Sequence, residues 1–255
     1  MFYEEIGPSS GSVVLFLHGF PFDHTLWLET GKRLGDSQRL IFPDMRGFGK
    51  TNLPVSQVTT MSQFAQDAAD LIDRLNQTSR IVVCGLSMGG YAAMHFARRF
   101  GDRLAGLILC DTKASSDTEA AAQNRKRRAD ALPETGLAAL ADAMLPNLFS
   151  PQSGNDIRDT VRQIVLRQPI NGVAAADRGM AERPDATDWL PGFAMPALVI
   201  CGKQDTISPP EEMEQMAETI PNAQFVIIEK AGHLSPVEAP DHFASVVKNF
   251  LDEIS

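Results

Sequence analysis

The chain has 255 residues, a formal net charge of −9 and 44% hydrophobic residues, so it is long enough to fold around a substantial apolar core. The negative charge argues against nucleic acid as a partner, because a phosphate backbone is bound through clustered Lys and Arg. The N-terminus lacks a signal-peptide pattern, and no apolar run reaches the length of a membrane span. We therefore expect a cytoplasmic protein, monomeric or homodimeric, without a membrane partner.

Strand and helix patterns alternate through the first part of the chain. Apolar runs bounded by turn residues predict strands at 2–6, 13–17, 39–43, 81–85 and 104–110. Helical spacing of apolar residues predicts helices at 23–34, 60–75 and 88–100. This alternation is typical of an α/β fold, in which helices cover both faces of a mostly parallel sheet.

The alternation stops between residues 112 and 187. This segment predicts only helices, near 117–131, 134–145, 155–168 and 170–182, with Pro133 separating the first two. Strands are predicted again at 197–201 and 224–228, and helices at 211–220 and 236–254. Because alternating strands and helices are predicted again after this segment, we interpret 112–187 as an all-helical cap inserted into one core formed by 1–111 and 188–255. A separate small helical domain is the alternative.

The segment Gly85-Leu86-Ser87-Met88-Gly89 joins a β-branched run directly to an Ala-rich helical segment. A turn this tight forces its central residue into strained backbone angles, and glycines on either side avoid clashes where strand and helix pack. The G-x-S-x-G pattern is typical of a nucleophile elbow, which exposes the serine hydroxyl. The alternative is a glycine-rich turn that happens to contain a serine.

A serine hydroxyl needs a base to accept its proton and a third group to orient that base. His233 follows the last predicted strand and is the predicted base for Ser87. Two carboxylates, Asp205 and Asp111, come directly after strands. Asp205 is favoured as the acid, because its strand immediately precedes the strand that delivers His233. Asp111 remains the alternative.

Acyl transfer also needs backbone N–H donors for the oxyanion. We predict that Met88, directly after the nucleophile, and Phe20, in the loop after the second strand, supply them. His18 lies at the start of this loop and is interpreted as a brace for it. No metal and no organic cofactor is expected.

Five motifs together resemble the α/β-hydrolase superfamily along essentially the whole chain. They are His18-Gly19-Phe20-Pro21, Asp44-x-Arg46-Gly47-x-Gly49, Gly85-Leu86-Ser87-Met88-Gly89-Gly90, Gly202-x-x-Asp205 and Gly232-His233. Within the superfamily, the segments Ser87-Met88-Gly89-Gly90 and Ala231-Gly232-His233-Leu234-Ser235 are similar to those of carboxylesterases, 3-oxoadipate enol-lactonases and cofactor-free haloperoxidases or perhydrolases. Members usually begin with two strands before the strand that leads into the oxyanion loop, and this chain has room for one. The resemblance thus implies about seven strands, with the first edge strand missing.

The resemblance implies a serine hydrolase that cleaves small carboxylic esters through an acyl-enzyme intermediate. Within enzymes, the alternatives are a lactonase of the enol-lactone type, a perhydrolase and an amidase. From another class, the alternative is a non-enzymatic ligand receptor or signalling protein on the same fold, because a fold alone does not determine function.

We expect an apolar substrate pocket. The predicted lining residues are Phe22, Leu137, Met144, Leu148 and Val165. The basic run Arg125-Lys126-Arg127-Arg128 is interpreted as a solvated helix face. Neutral short-chain esters should then be better substrates than anionic lactones, because burying a carboxylate without a cationic partner is unfavourable.

Overall fold

A computed structural model of the protein describes residues 1–9, 11–35 and 38–254. In these residues, the predicted motifs lie on a sheet of seven strands. The strands are β1 (Tyr3–Ile6), β2 (Val13–Leu17), β3 (Arg39–Pro43), β4 (Ile81–Leu86), β5 (Leu104–Cys110), β6 (Ala197–Gly202) and β7 (Ala223–Ile228). Their order is β1-β3-β2-β4-β5-β6-β7. β1 pairs antiparallel with β3 at one edge, and every other neighbouring pair is parallel. The predicted seven-stranded α/β sheet with a single leading edge strand is confirmed.

Helices connect the strands and cover the sheet. They are α1 (Leu28–Leu34), α2 (Met61–Arg74), α3 (Met88–Phe100), α4 (Glu119–Met144), α5 (Asn155–Leu166), α6 (Ile170–Ala181), α7 (Pro210–Thr219), α8 (Ser235–Glu238) and α9 (Pro240–Glu253). Within the described ranges, none of these helices is both long and apolar enough to cross a membrane.

Both faces of the sheet are buried, which explains the continuous apolar runs of its central strands. In β2, Val13 and Leu15 point into one core layer, whereas Val14 and Phe16 point into the other. Helices α2, α3 and α7 contribute buried side chains to the first layer, and α1 and α9 contribute to the second. The helices therefore occupy the faces of the sheet and leave the C-terminal ends of the parallel strands for ligand-binding loops.

Two predicted helix boundaries are wrong. The two helices predicted on either side of Pro133 are both present within α4, but they meet at a kink at Gly136, where φ is 74°, and not at Pro133. Glycine adopts this conformation without a Cβ penalty. The predicted helix at 236–254 is two helices, α8 and α9, which meet at Ala239 (φ −137°). Pro240 has no backbone N–H with which to continue the first helix, so the second begins there.

All three cysteines are buried and have free thiols. The Sγ atoms of Cys84 and Cys110 lie 3.7 Å apart across the neighbouring strands β4 and β5. Burial raises the pKa of the Cys110 and Cys201 thiols. These side chains therefore stay protonated at neutral pH and pack as small apolar groups.

Candidate active site

Ser87 lies at the sharp turn between β4 and α3. Its φ of 52° and ψ of −113° are strained for a residue with a Cβ. A Cβ at Gly85 would collide with the carbonyl of Gly89, and a Cβ at Gly89 would collide with the end of β2, so only glycine fits at either position. The Ser87 N–H donates to the carbonyl of Cys110 at 2.9 Å, and the Thr112 hydroxyl donates to the Ser87 carbonyl at 2.8 Å. These contacts hold the turn in the geometry of a nucleophile elbow.

The structure brings Ser87, His233 and Asp205 together in one hydrogen-bonded chain. Nε2 of His233 lies 2.9 Å from Oγ of Ser87, and its Nδ1 lies 2.8 Å from Oδ2 of Asp205. The backbone N–H groups of Ile207 and Ser208 donate to Oδ1 of Asp205 at 2.8 and 3.0 Å and fix this carboxylate. With Nδ1–H donating to Asp205, Nε2 is the nitrogen that faces Ser87 as an acceptor. This is the arrangement that proton transfer from serine requires.

Asp111, the alternative acid, makes no hydrogen bond to His233. Its Oδ1 accepts from the N–H of Gly202 at 2.8 Å, and its Oδ2 accepts from the N–H and hydroxyl of Ser235 at 3.0 and 2.6 Å. Asp111 therefore joins the end of β5 to the end of β6 and to the loop that carries His233. Its position is that of a structural brace behind the Asp205–His233 pair.

Nearby carboxylates determine how His233 titrates. Burial favours the neutral imidazole, but the charge of Asp205 and its hydrogen bond outweigh burial and raise the pKa of His233 above its ordinary value. Burial also raises the pKa of Asp111, to about 7, and the charge of Asp205 adds to that shift.

We expect kcat/KM for a neutral ester to rise with pH and then to level off. Only neutral His233 can accept the Ser87 proton, and its pKa is raised, so the midpoint should lie above the ordinary imidazole value of about 6.5. A pH–rate profile with p-nitrophenyl butyrate, corrected for spontaneous hydrolysis, measures this midpoint. A profile that is flat across this range would exclude His233 as the base.

A cavity of about 430 Å³ opens onto Ser87 and His233. Of the predicted lining residues, Met144 and Leu148 line it. The other three do not, which corrects the prediction: Phe22, Leu137 and Val165 are buried in the apolar core. Helical periodicity identifies the apolar face of an element but not whether a helix, the sheet or a cavity lies against that face.

The backbone N–H groups of Phe20 and Met88 have no acceptor among the described residues. Met88 is the first residue of α3, where amides lack partners within the helix, and Phe20 lines the cavity beside Ser87. The His18 ring braces the Phe20 loop: Nδ1–H donates to the carbonyl of Gly19 at 2.9 Å, and Nε2 accepts from the N–H of Met45 at 3.0 Å. Burial lowers the pKa of His18, in keeping with this neutral form.

The cavity also has a cationic wall, which corrects the expectation of an apolar pocket. Arg125 and Arg128 both line the cavity, whereas Arg127 between them is exposed. Residues three apart on a helix lie on the same face, so this spacing was a signal that these two arginines point the same way. The carboxylate that both arginines share, Asp177, lies on α6, about fifty residues away in sequence, and no local pattern reveals it.

Glu238 is a supporting residue that the sequence analysis missed. Its Oε1 accepts from the N–H groups of Gly232 and Leu234 at 2.8 and 3.2 Å, which fixes the loop on both sides of His233. Its Oε2 accepts from the N–H of Ser150 at 2.7 Å. Glu238 thus ties the histidine loop to the helical segment between β5 and β6. No sequence signal marked it, because Ser150 lies 88 positions away.

Two buried groups of side chains have the composition of a metal site. They are Asp23, His24 and Asp44, and Asp111, Cys201 and Asp205. Their carboxylates already accept hydrogen bonds from the protein: Asp44 from the backbone and ring of His24, and Asp23 from Arg167. Asp111 and Asp205 are occupied by the contacts described above. Both groups are therefore internal hydrogen-bond networks, and we assign a metal to neither.

Comparisons with known proteins identify the family to which this fold belongs. Residues 12–240 match the family model described as alpha/beta hydrolase fold, and the chain belongs to this family. An esterase from Thermogutta terrifontis, solved with malate bound, is 46% identical with a TM-score of 0.96, covering 99% of this chain and 93% of that chain. The enol-lactonase from Burkholderia xenovorans LB400 is 28% identical with a TM-score of 0.90, covering 98% and 96%.

A further relative is the putative 2-succinyl-6-hydroxy-2,4-cyclohexadiene-1-carboxylate synthase of Bacillus subtilis (strain 168). It is 32% identical over 97% of this chain and 93% of its own length. Its similarity extends along nearly the whole chain, as does that of the esterase and the enol-lactonase. Two of these three relatives are thus named for the hydrolysis of an ester or a lactone.

Proposed function

We propose that the protein is a serine hydrolase that cleaves a small carboxylic ester through an acyl-enzyme intermediate. The observation that carries this proposal is the hydrogen-bonded chain Ser87–His233–Asp205 beside a cavity of small-molecule size. In this proposal, residues 112–187 act as a cap, because α4 and the segment that follows it supply much of the cavity wall.

The first half-reaction acylates Ser87. Oγ attacks the ester carbonyl while Nε2 of His233 accepts its proton, and Asp205 stabilises the imidazolium that forms. The N–H groups of Phe20 and Met88 donate to the oxyanion. Collapse of the tetrahedral intermediate breaks the ester C–O bond, and His233 returns the proton to the leaving alcohol.

The second half-reaction restores the enzyme. Water enters the space left by the alcohol, and neutral His233 removes a proton from it as it attacks the acyl carbon. The same two N–H groups stabilise the second oxyanion, and the Ser87 hydroxyl is regenerated as the acid leaves. Water is the only other reactant.

Lactone hydrolysis is the second candidate, favoured by the 28% identical enol-lactonase that covers nearly the whole chain. The chemistry at Ser87 is the same, but the leaving alkoxide stays tethered to the acyl group. Both ends of the substrate therefore occupy the cavity until water releases a single hydroxy acid.

A fluorophosphonate probe combined with a substrate panel tests the proposed function. The probe should label Ser87, and the protein should hydrolyse p-nitrophenyl acetate and butyrate. Turnover of lactones of graded size with little ester turnover would favour the lactonase alternative. Oxidation by hydrogen peroxide that depends on a carboxylic acid would favour a perhydrolase. Labelling of Ser87 without turnover of any substrate would contradict the proposal and favour a ligand receptor on this fold.

A further inference from the structure

The cationic wall of the cavity belongs to a ladder of alternating charges within residues 112–187. The ladder runs in the order Arg183, Asp117, Arg125, Asp177 and Arg128. Asp117 pairs with Arg183 at 2.7 Å and with Arg125 at 2.6 Å. Asp177 pairs with Arg125 at 3.3 Å and with Arg128 at 2.7 Å. Three guanidinium groups share two carboxylates, so the ladder carries a formal surplus of one positive charge.

The surplus charge is available to the cavity. The side chains of Asp117 and Asp177 are only 5% and 2% exposed, whereas those of Arg125 and Arg128 are 21% and 36% exposed. Among the described residues, no other carboxylate pairs with either arginine, and the cavity lining includes no Asp or Glu. The two carboxylates are therefore buried on the side of the arginines that faces away from the cavity, and the two arginines face the cavity.

Each of the two arginines keeps donors that have no acceptor among the residues that the structure describes. Arg128 uses Nε and Nη2 on Asp177, both at 2.7 Å, which leaves Nη1. Arg125 uses Nε on Asp117 and Nη1 on Asp177 and Met180, which leaves Nη2. The ladder holds both guanidinium planes in place before a ligand arrives. A carboxylate matches such fixed, charged donors in both geometry and sign.

The ladder lies next to the reaction centre. At one end, the Arg183 guanidinium stacks 4.2 Å from the ring centroid of Tyr91, one helical turn after Ser87. At the other end, the Arg128 guanidinium lies 5.6 Å from the ring centroid of Phe20, the residue whose N–H faces the proposed oxyanion. A small molecule bound at Ser87 thus has the two cavity arginines within the same 430 Å³ space.

We propose that Arg125 and Arg128 bind the carboxylate of an acidic ester or lactone whose reactive carbonyl lies at Ser87. This inference rests on the proposed ester hydrolysis and specifies its substrate class. It reverses the sequence-based expectation that neutral esters are preferred, because the cationic partner that an anionic substrate needs is present.

Two substrates of the same shape test this charge preference. Mono-p-nitrophenyl glutarate carries a terminal carboxylate, and p-nitrophenyl 5-methylhexanoate carries an isopropyl group in the same place. Hydrolysis of each with one water yields p-nitrophenol and the free acid. We expect kcat/KM to be about ten- to a hundredfold higher for the glutarate ester, the scale of a charge-assisted hydrogen bond. This ratio should fall as salt rises. Equal values for the two esters would count against the carboxylate site.

Arg128→Gln should reduce this ratio about tenfold or more. Arg127→Gln is the matched control, because it removes the same charge from the exposed neighbouring position, where the side chain donates a hydrogen bond to Asn124. A similar loss in both variants would show a general effect of net charge and would overturn direct binding. Thermal melting of both variants verifies that each is folded, and Arg128→Lys should restore only part of the ratio, because lysine lacks the guanidinium fork.

Binding of glutarate to the Ser87→Ala variant separates this inference from the proposed function. Calorimetry should detect glutarate binding, and adding Arg128→Gln should weaken it about tenfold. If the Ser87→Ala variant binds glutarate in an Arg128-dependent way but the parent protein hydrolyses neither ester, the hydrolase is refuted and the carboxylate site is supported. Hydrolysis of both esters with equal kcat/KM and no glutarate binding would support the hydrolase and overturn the carboxylate site.

Discussion

Replacing Ser87 with Ala should lower ester turnover by about five to six orders of magnitude while the protein stays folded. The substitution removes the proposed nucleophile, and the hydroxyl contacts only His233 among the described residues, so little packing is lost. His233→Ala should cause a loss of the same size, because the hydroxyl then has no base. The measurement is kcat for p-nitrophenyl butyrate, with circular dichroism to verify folding.

The double variant is the sharper test of this pair. Residues that act as one unit give losses that do not multiply, so Ser87→Ala with His233→Ala should be scarcely slower than either single variant. His242→Gln, which changes an exposed histidine on α9, should keep full activity. Losses that multiply in the double variant would contradict a shared role for Ser87 and His233.

Asp205→Asn should lower kcat about 10,000-fold with little change in KM. Asparagine keeps the shape of the side chain but loses the charge that stabilises the His233 imidazolium, and its amide can hold the ring in the wrong tautomer. Because the charge of Asp205 also raises the pKa of His233, the residual activity should titrate at lower pH than in the parent protein. Steady-state kinetics across pH measure both effects.

Asp111→Asn is the matched comparison, since it makes the same change in the neighbouring buried carboxylate. It should cost at most about a hundredfold in kcat, the scale of a small misplacement of a catalytic group. An asparagine there cannot accept from both Gly202 and Ser235, so we also expect a loss of about 1–3 kcal/mol in stability. A larger kcat loss in Asp111→Asn than in Asp205→Asn would reverse the assignment of the acid.

The geometry around Ser87 was predictable because it depends on local backbone chemistry. Gly85 and Gly89 flank a serine between a strand pattern and a helix pattern, and the positive φ of Ser87 follows from that sharp turn. The C-terminal ends of the strands were also predictable, since a polar residue follows each apolar run and the ends of parallel strands meet at one edge of the sheet. His233 and Asp205 could be paired with Ser87 on that basis.

Contacts between distant segments were not predictable in the same way. Glu238 fixes the histidine loop through Ser150, and Asp111 fixes it through Ser235, at separations of 88 and 124 residues. Each is one polar residue among many in the sequence. Only the folded chain shows which of them lie within hydrogen-bond distance of which backbone groups.

The sequence by itself determined the α/β sheet, the elbow at Ser87 and the side chains that form hydrogen bonds with His233. It could do so because periodicity, turn residues and strand ends are local properties of the chain. The tertiary structure decided the character of the cavity. Periodicity marks Val165 as apolar without showing that it packs in the core, and a basic run does not show that Arg128 turns inward. Asp177, which is buried on another helix, makes that inward orientation favourable. The desolvation cost of a guanidinium is offset only where the group pairs with a carboxylate.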